Sequence, residues 1–199
     1  MTPAPSHANV EDRIINAAKA CCERWGVAKV TVDDIASEAG VSQATLYRFF
    51  PDGKNVLFEA LRRRETTDFF ELLMAGLHET QTLEDLVVAA VSLATRALRD
   101  DEHLRLMLAS EPGEVVTDLT VAGLPRIVAV ASTYLVPVFA PYLDDDHAAE
   151  LAEWLSRLVI SFFLAPSLFV DLGDDESARR FIRRFVLPAF QTDQALNRR

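Results

Sequence analysis

The residues with the clearest chemistry lie together in the string Ser42-Gln43-Ala44-Thr45-Leu46-Tyr47-Arg48. A Gln amide can bond an adenine edge bidentately, and an Arg guanidinium can bond guanine if it turns toward the groove. Ala44 allows close approach or touches a thymine methyl. Thr31, Ser42, Thr45 and Tyr47 carry hydroxyls suited to phosphate oxygens, contacts that fix register without reading sequence. Lys54, at a helix start, adds charge to N–H donors already facing a phosphate. This chemistry is recognition of duplex DNA. Enzyme chemistry finds less to use: His7, His78, His103 and His147 form no metal-ligand pair such as HExxH and adjoin no nucleophile motif. No catalytic residue, metal or cofactor is assigned.

Two short helices joined by a tight turn are expected to position these groups. Thr31 can cap the first, with Asp34 three residues on, and Asp33 and Asp34 place negative charge at its positive end. Ile35, Ala36 and Ala39 recur at helical spacing. Gly40 stops the helix where a left-handed residue is needed, and Val41 plugs the corner. Ser42 caps the second helix, whose Leu46 and Phe50, four apart, face inward. That is a helix-turn-helix.

The string Thr31-Val32-x-x-Ile35-Ala36-x-x-Ala39-Gly40-Val41-Ser42-x-x-Thr45-Leu46-Tyr47-x-x-Phe50 resembles the DNA-binding domain of TetR-family transcriptional regulators. The resemblance covers roughly the first third of the chain. It implies a three-helix head on a larger helical body, a homodimer, and a ligand cavity in the middle helices. In one departure, Pro51-Asp52-Gly53 precede Lys54, one residue more than the family's usual one or two.

Charge supports the division. The 199-residue chain carries a net charge of −10, yet residues 1–65 hold nine basic and nine acidic side chains. The whole excess lies in residues 66–199, and an acidic body repels DNA, so only a local surface can bind it. Half the residues are hydrophobic, which excludes disorder. Cys21 and Cys22 build no disulfide framework; one packed and one partly exposed thiol are expected. No signal peptide is read at the start. Ile127 to Leu143 is short of a membrane span and holds Pro137 and Pro141, so a cytoplasmic protein is expected.

In order, Met1–Ala8 reads as a mobile tail. Asn9 caps a helix to Trp25, with Ile14, Ala18, Cys21 or Cys22, and Trp25 inward. A long helix from Lys54 to Leu77 links head and body, carrying Arg62, Arg63 and Arg64 as solvated or paired cations. Thr82, with Asp85, caps a helix apolar on nearly every side from Leu86 to Leu98. Further helices follow, about nine in all. The expected fold is all-α: a helix-turn-helix domain over 9–53, a linking helix over 54–77, and a ligand-binding and dimerisation domain over 78–191.

Two surfaces follow for the body. A self-complementary patch from Leu151, Leu155, Leu158, Phe162, Phe181, Phe185 and Phe190 would form a twofold four-helix contact, and two heads gain affinity and specificity over one. A pocket would draw apolar walls from Leu73, Leu77, Leu86, Ala90, Leu93, Met107, Val128, Tyr134, Trp154 and Phe162, which suits a small lipophilic effector. Arg126 and Arg157 stand inside apolar runs, where pairing with carboxylates is expected and an anionic ligand head group is the alternative. The reading is a ligand-responsive repressor that binds a palindromic operator as a homodimer and is released by its effector. The competing class is a helical lipid-binding or protein-interaction module without DNA binding.

Overall fold

The computed structural model describes residues 7–77 and 80–190, so most of the expected N-terminal tail lies outside the described residues. The fold is all-α, 78% helix, with ten α-helices and one π-helical turn among the described residues. The chain forms two compact units: residues up to Thr66 with Leu106–Pro112, and Thr67–Arg105 with the residues from Gly113 on.

The first unit contains α1 (His7–Trp25), α2 (Val32–Glu38), α3 (Gln43–Phe49), the first half of α4 (Lys54–Gly76) and the end of α6 (Glu102–Ser110). Because α1 starts at His7, Asn9 sits in its first turn instead of capping it. Ile14, Ala18, Cys21, Ile35, Leu46 and Leu57 are fully buried in one cluster. Both thiols are buried, so the partly exposed cysteine expected from the sequence is not found. Burial pushes the Cys22 thiol up to about 12, which keeps it protonated and unreactive at neutral pH. Trp25, expected inside, is 42% exposed, and the Arg24 guanidinium lies over its ring.

The second unit holds the rest of α4, α5 (Leu83–Asp100), α7 (Pro112–Leu119), α8 (Leu124–Phe139), α9 (Asp145–Leu164), α10 (Asp175–Phe181) and a π-turn (Ile182–Val186). Thr82 caps α5 by accepting from Asp85 N–H at 3.1 Å, as its spacing suggests. Leu86, Val87, Val88, Ala90, Val91 and Ala94 are all buried, in keeping with a helix apolar on nearly every side. Along α4, Phe70 and Leu73 enter the core while Leu72 stays 65% exposed. Arginines fasten the last helix to α5. Arg179 bonds Glu84 and Asp85 at 2.9 and 2.7 Å, and Arg183 bonds Glu84 at 2.6 Å. The Arg183 bond, reinforced by Arg179, holds the Glu84 carboxyl below its usual range. Arg96 adds a 2.9 Å bond to the Gly173 carbonyl and another to Asp175.

Candidate nucleic-acid interface

The helix-turn-helix forms because each local signal agrees with the next. Thr31 is extended and caps α2: its hydroxyl accepts from Asp34 N–H at 3.2 Å, and its own N–H donates to the Asp34 carboxylate at 2.9 Å. The Thr31 hydroxyl, which donates to the Asp34 carboxylate, and then the Thr31 N–H hold that carboxyl below its ordinary range. Gly40 takes φ +63°, the left-handed conformation that ends α2. Arg13, on α1, donates to the Ala39 and Gly40 carbonyls and so ties the turn to the first helix. Ser42 then caps α3, accepting from Thr45 N–H at 3.1 Å.

With that frame set, α3 presents one face to the core and one to solvent. Leu46 and Phe50 are 0% and 3% exposed. Ser42, Gln43, Ala44, Tyr47 and Arg48 are exposed, and Thr45 is half-buried. The four side chains Gln43, Ala44, Tyr47 and Arg48 therefore stand on one outward surface. The hydroxyls of the two caps, Thr31 and Ser42, and of Thr45 are already engaged. Thr31 donates to Asp34 at 2.6 Å, and the Ser42 and Thr45 hydroxyls lie 3.0 Å apart. Their first role is to shape the two helix starts.

Lys54, expected at a phosphate, has contacts within the head. Its ammonium donates to the Val27 carbonyl at 2.6 Å and sits 5.2 Å from the centre of the Phe58 ring. The side chain thus fastens the α1–α2 loop to α4. The Pro51-Asp52-Gly53 turn has its own function. Gly53, at φ +67°, closes on the Phe50 carbonyl at 2.8 Å, and a Cβ there would lie 3.2 Å from Tyr47 Cε1. The Gly53 backbone lies close against the Tyr47 ring. Gly53→Ala is expected to cost about 1–2 kcal/mol from the left-handed backbone alone. It also displaces Tyr47. Thermal unfolding and DNA affinity measured together check this, and Gly53→Asn, whose side chain tolerates that conformation, should recover part of the loss.

Cations elsewhere in this unit are largely matched to carboxylates. Arg24 pairs with Glu38 at 3.2 Å, Arg62 with Glu59 at 3.2 Å, Arg64 with Asp12 at 3.0 Å and Lys19 with Glu65 at 3.3 Å. Arg62 and Arg64 are thus paired, as the default reading of that run has it. Sequence reasoning missed Arg13 and Glu111. Glu111 follows α6 and accepts from Ala28 N–H at 3.4 Å, across 83 residues of chain, a contact with no local signature.

In the second unit the expected dimer patch divides. Leu151, Leu155 and Phe190 are 0%, 3% and 3% exposed, members of the intramolecular core and not available to a partner. Phe162 and Phe181 are half-buried and Phe185 is 57% exposed. These three rings form a ladder, with centroids 5.5 Å and 5.3 Å apart. Leu158 is half-buried beside them in the chain.

The expected pocket walls divide as well. Leu73, Leu77, Leu86 and Ala90 are packed core residues, Leu93 and Met107 are half-buried, and Tyr134 stacks on Phe70 at 5.8 Å. Trp154, 41% exposed, meets Phe190 edge-on at 5.9 Å. Val128 lines an open groove of about 620 Å³ with Thr120, Val121, Leu124, Pro125, Glu153 and Arg157. Arg126, largely buried, pairs with Asp118 at 3.6 Å, whereas Arg157 pairs with Glu153 at 2.6 Å on the surface and not in the buried pair expected of it. No helix among the described residues is long and apolar enough to cross a membrane.

Comparison with known proteins agrees with this geometry. A family model for bacterial regulatory proteins of the tetR family matches residues 14–61, the stretch that contains the helix-turn-helix. An HTH-type transcriptional regulator of Mycobacterium tuberculosis is 26% identical over 178 residues, 89% of this chain and 83% of the relative. Another from the same species is 33% identical over 108 residues, 54% of each chain. Among solved structures, the TetR-family repressor AlkX from a Dietzia strain aligns with a TM-score of 0.67 at 20% identity, over 89% of this chain and 95% of that one. The regulator FadR from Bacillus subtilis, in complex with stearoyl-CoA, aligns at 0.54 and 19% identity, over 88% and 98%.

Proposed function

We propose that this chain, which belongs to the TetR family of bacterial regulatory proteins, is a cytoplasmic repressor that binds a palindromic operator as a homodimer and is released by a lipophilic small molecule. The observation that carries the DNA part is the outward face of α3. Gln43, Ala44, Tyr47 and Arg48 are exposed on a helix whose other side is locked into the core by Leu46 and Phe50. A rigid, exposed reading surface on a small head is what entry into a major groove requires.

In this reading Gln43 bonds a base edge, Ala44 permits close approach, and Tyr47 and Arg48 hold phosphate or a neighbouring guanine. Thr31, Ser42 and Thr45 present the helix starts to the backbone, and Lys54 braces the head from within. The head itself is neutral, so affinity rests on a few contacts per protomer, and doubling them on a twofold site supplies what one head lacks. The aromatic ladder of Phe162, Phe181 and Phe185, with Leu158, is the surface on which two protomers join.

The lipophilic effector is supported by the apolar lining of the groove at Val121, Leu124, Pro125 and Val128. It is supported also by the company the fold keeps: AlkX is implicated in biodegradation of n-alkanes, and the Bacillus subtilis FadR binds stearoyl-CoA. An effector that favours one arrangement of the dimer shifts the population toward it, and a changed separation of the heads breaks simultaneous contact with both half-sites. Fluorescence anisotropy with the DNA flanking the protein's own gene tests the proposal. Binding should be saturable and sequence-specific, and a long-chain acyl compound should weaken it. Equal affinity for scrambled DNA contradicts operator binding, and an unchanged affinity across a panel of acyl compounds removes the lipophilic effector.

A further inference from the structure

The loop between α9 and α10 displays two large apolar side chains that the proposed operator binding does not use. Leu168 is 95% exposed and Phe169 is 93% exposed. The loop is not slack. The Ser167 hydroxyl accepts from the N–H groups of Phe169 and Val170 at 3.1 and 3.3 Å, which turns the chain outward at its tip. Beyond the tip, Asp171 N–H donates to the Ser177 hydroxyl at 3.0 Å, the Asp171 carboxylate pairs with Arg99 at 2.8 Å, and Leu172 is buried to 1%. The Leu-Phe pair is therefore shaped by a local turn at Ser167 and tied to the fold on its downstream side. A pre-set apolar tip is an anchor awaiting a pocket, since ordering it on contact costs little.

We propose that Leu168 and Phe169 form a docking arm that seats on a second copy of this chain, outside the helix contact. The inference rests on the homodimer reading and deepens it. The arm joins the two helices that carry the ladder: Phe162 stands near the end of α9 and Phe181 at the end of α10, and both flank the loop in sequence. In sequence it lies between the helices of the surface proposed for the partner. Area points the same way. A stable dimer face covers roughly 800 Å² per partner, rather more than half of it apolar. A whole aromatic side chain supplies about 150–250 Å². Three rings, two of them half-buried, fall well short of that apolar share. Phe169 and Leu168, almost wholly exposed, supply much of the remainder.

Sedimentation of the full chain over a wide concentration range tests the arm. The double substitution L168S/F169S should raise the dimer dissociation constant about a hundredfold or more, from the loss of two apolar anchors on each protomer. Its circular dichroism should match the wild type, because neither side chain supports the core. A Phe169→Trp variant should show extra emission at shorter wavelength in the dimer, moving to longer wavelength on dilution. A wild-type dimer whose dissociation constant the double substitution leaves unchanged overturns the arm while the homodimer stands. A wild-type chain that stays monomeric at every concentration overturns both. Extra emission from the Phe169→Trp variant that responds to phospholipid vesicles but not to protein concentration would assign the tip to a lipid surface and overturn the arm as well.

Discussion

Truncating Leu46 to alanine is expected to destabilise the DNA-reading head by about 2–5 kcal/mol, the range for removing a large aliphatic side chain from a packed core. Leu46 is completely buried, in the same cluster as Ile14, Ile35, Phe50 and Leu57. It is the residue through which α3 is held at a fixed angle, since Gln43, Ala44, Tyr47 and Arg48 around it are exposed. A unit of this size has little stability in reserve, and a loss in that range can exhaust it. DNA binding should disappear for cognate and random sequences alike. Denaturant unfolding followed through Trp25, which lies on α1, should show an earlier transition than in the wild type. The second unit draws its core from other residues, among them Phe139, Leu151 and Ile182, so its own transition should be preserved. A Leu46→Ala variant with unchanged unfolding and unchanged DNA affinity would mean that α3 is not positioned by this contact.

The second large effect is on specificity. Gln43 is exposed at the first position of α3. A bidentate amide–adenine contact is worth about 1–3 kcal/mol of discrimination, so Gln43→Ala, which removes one from each half-site, should weaken the cognate operator by about 30-fold or more. Random-sequence affinity should be unaffected, because Gln43 carries no charge and contributes nothing to counterion release. Arg48→Ala should behave differently if Arg48 holds phosphate: affinity falls for every sequence and the salt dependence flattens by about one unit per head. Comparing the two variants on cognate and scrambled duplexes over a range of salt concentrations separates a reader from an anchor. A uniform loss for Gln43→Ala contradicts its role.

The helix-turn-helix was legible because its determinants are local. Thr31 finds Asp34 three residues on, Gly40 takes the left-handed turn, and Leu46 and Phe50 share one face by spacing alone. The destination of Lys54 was not legible. A lysine at a helix start suits a phosphate by position, but its ammonium is drawn 27 residues back to the Val27 carbonyl, and only the folded chain brings the two together. Arg13 and Glu111 are hidden for the same reason.

The dimer patch shows a different limit. Periodicity identifies Leu151, Leu155 and Phe190 as a buried face, yet it does not distinguish burial within the chain from burial against a partner. The structure places those three in the core and leaves Phe185 outside. The π-turn at Ile182–Val186 lies in this same stretch, where ordinary helical spacing assumes regular α-helix. In the sequence nothing sets Leu168 and Phe169 apart from a connecting loop. Their exposure depends on the Ser167 turn and the Leu172 anchor, which composition does not reveal.

The central claim is that an otherwise acidic chain presents the outer face of α3, twice over, to operator DNA. Hydroxyl-radical footprinting on the DNA flanking its own gene tests it most directly. Two protected half-sites should appear, centred roughly 34–36 Å apart or a multiple of that, symmetric about a twofold, and lost together in Gln43→Ala at limiting protein. A single protected segment, or protection that Gln43→Ala leaves intact, would contradict the account.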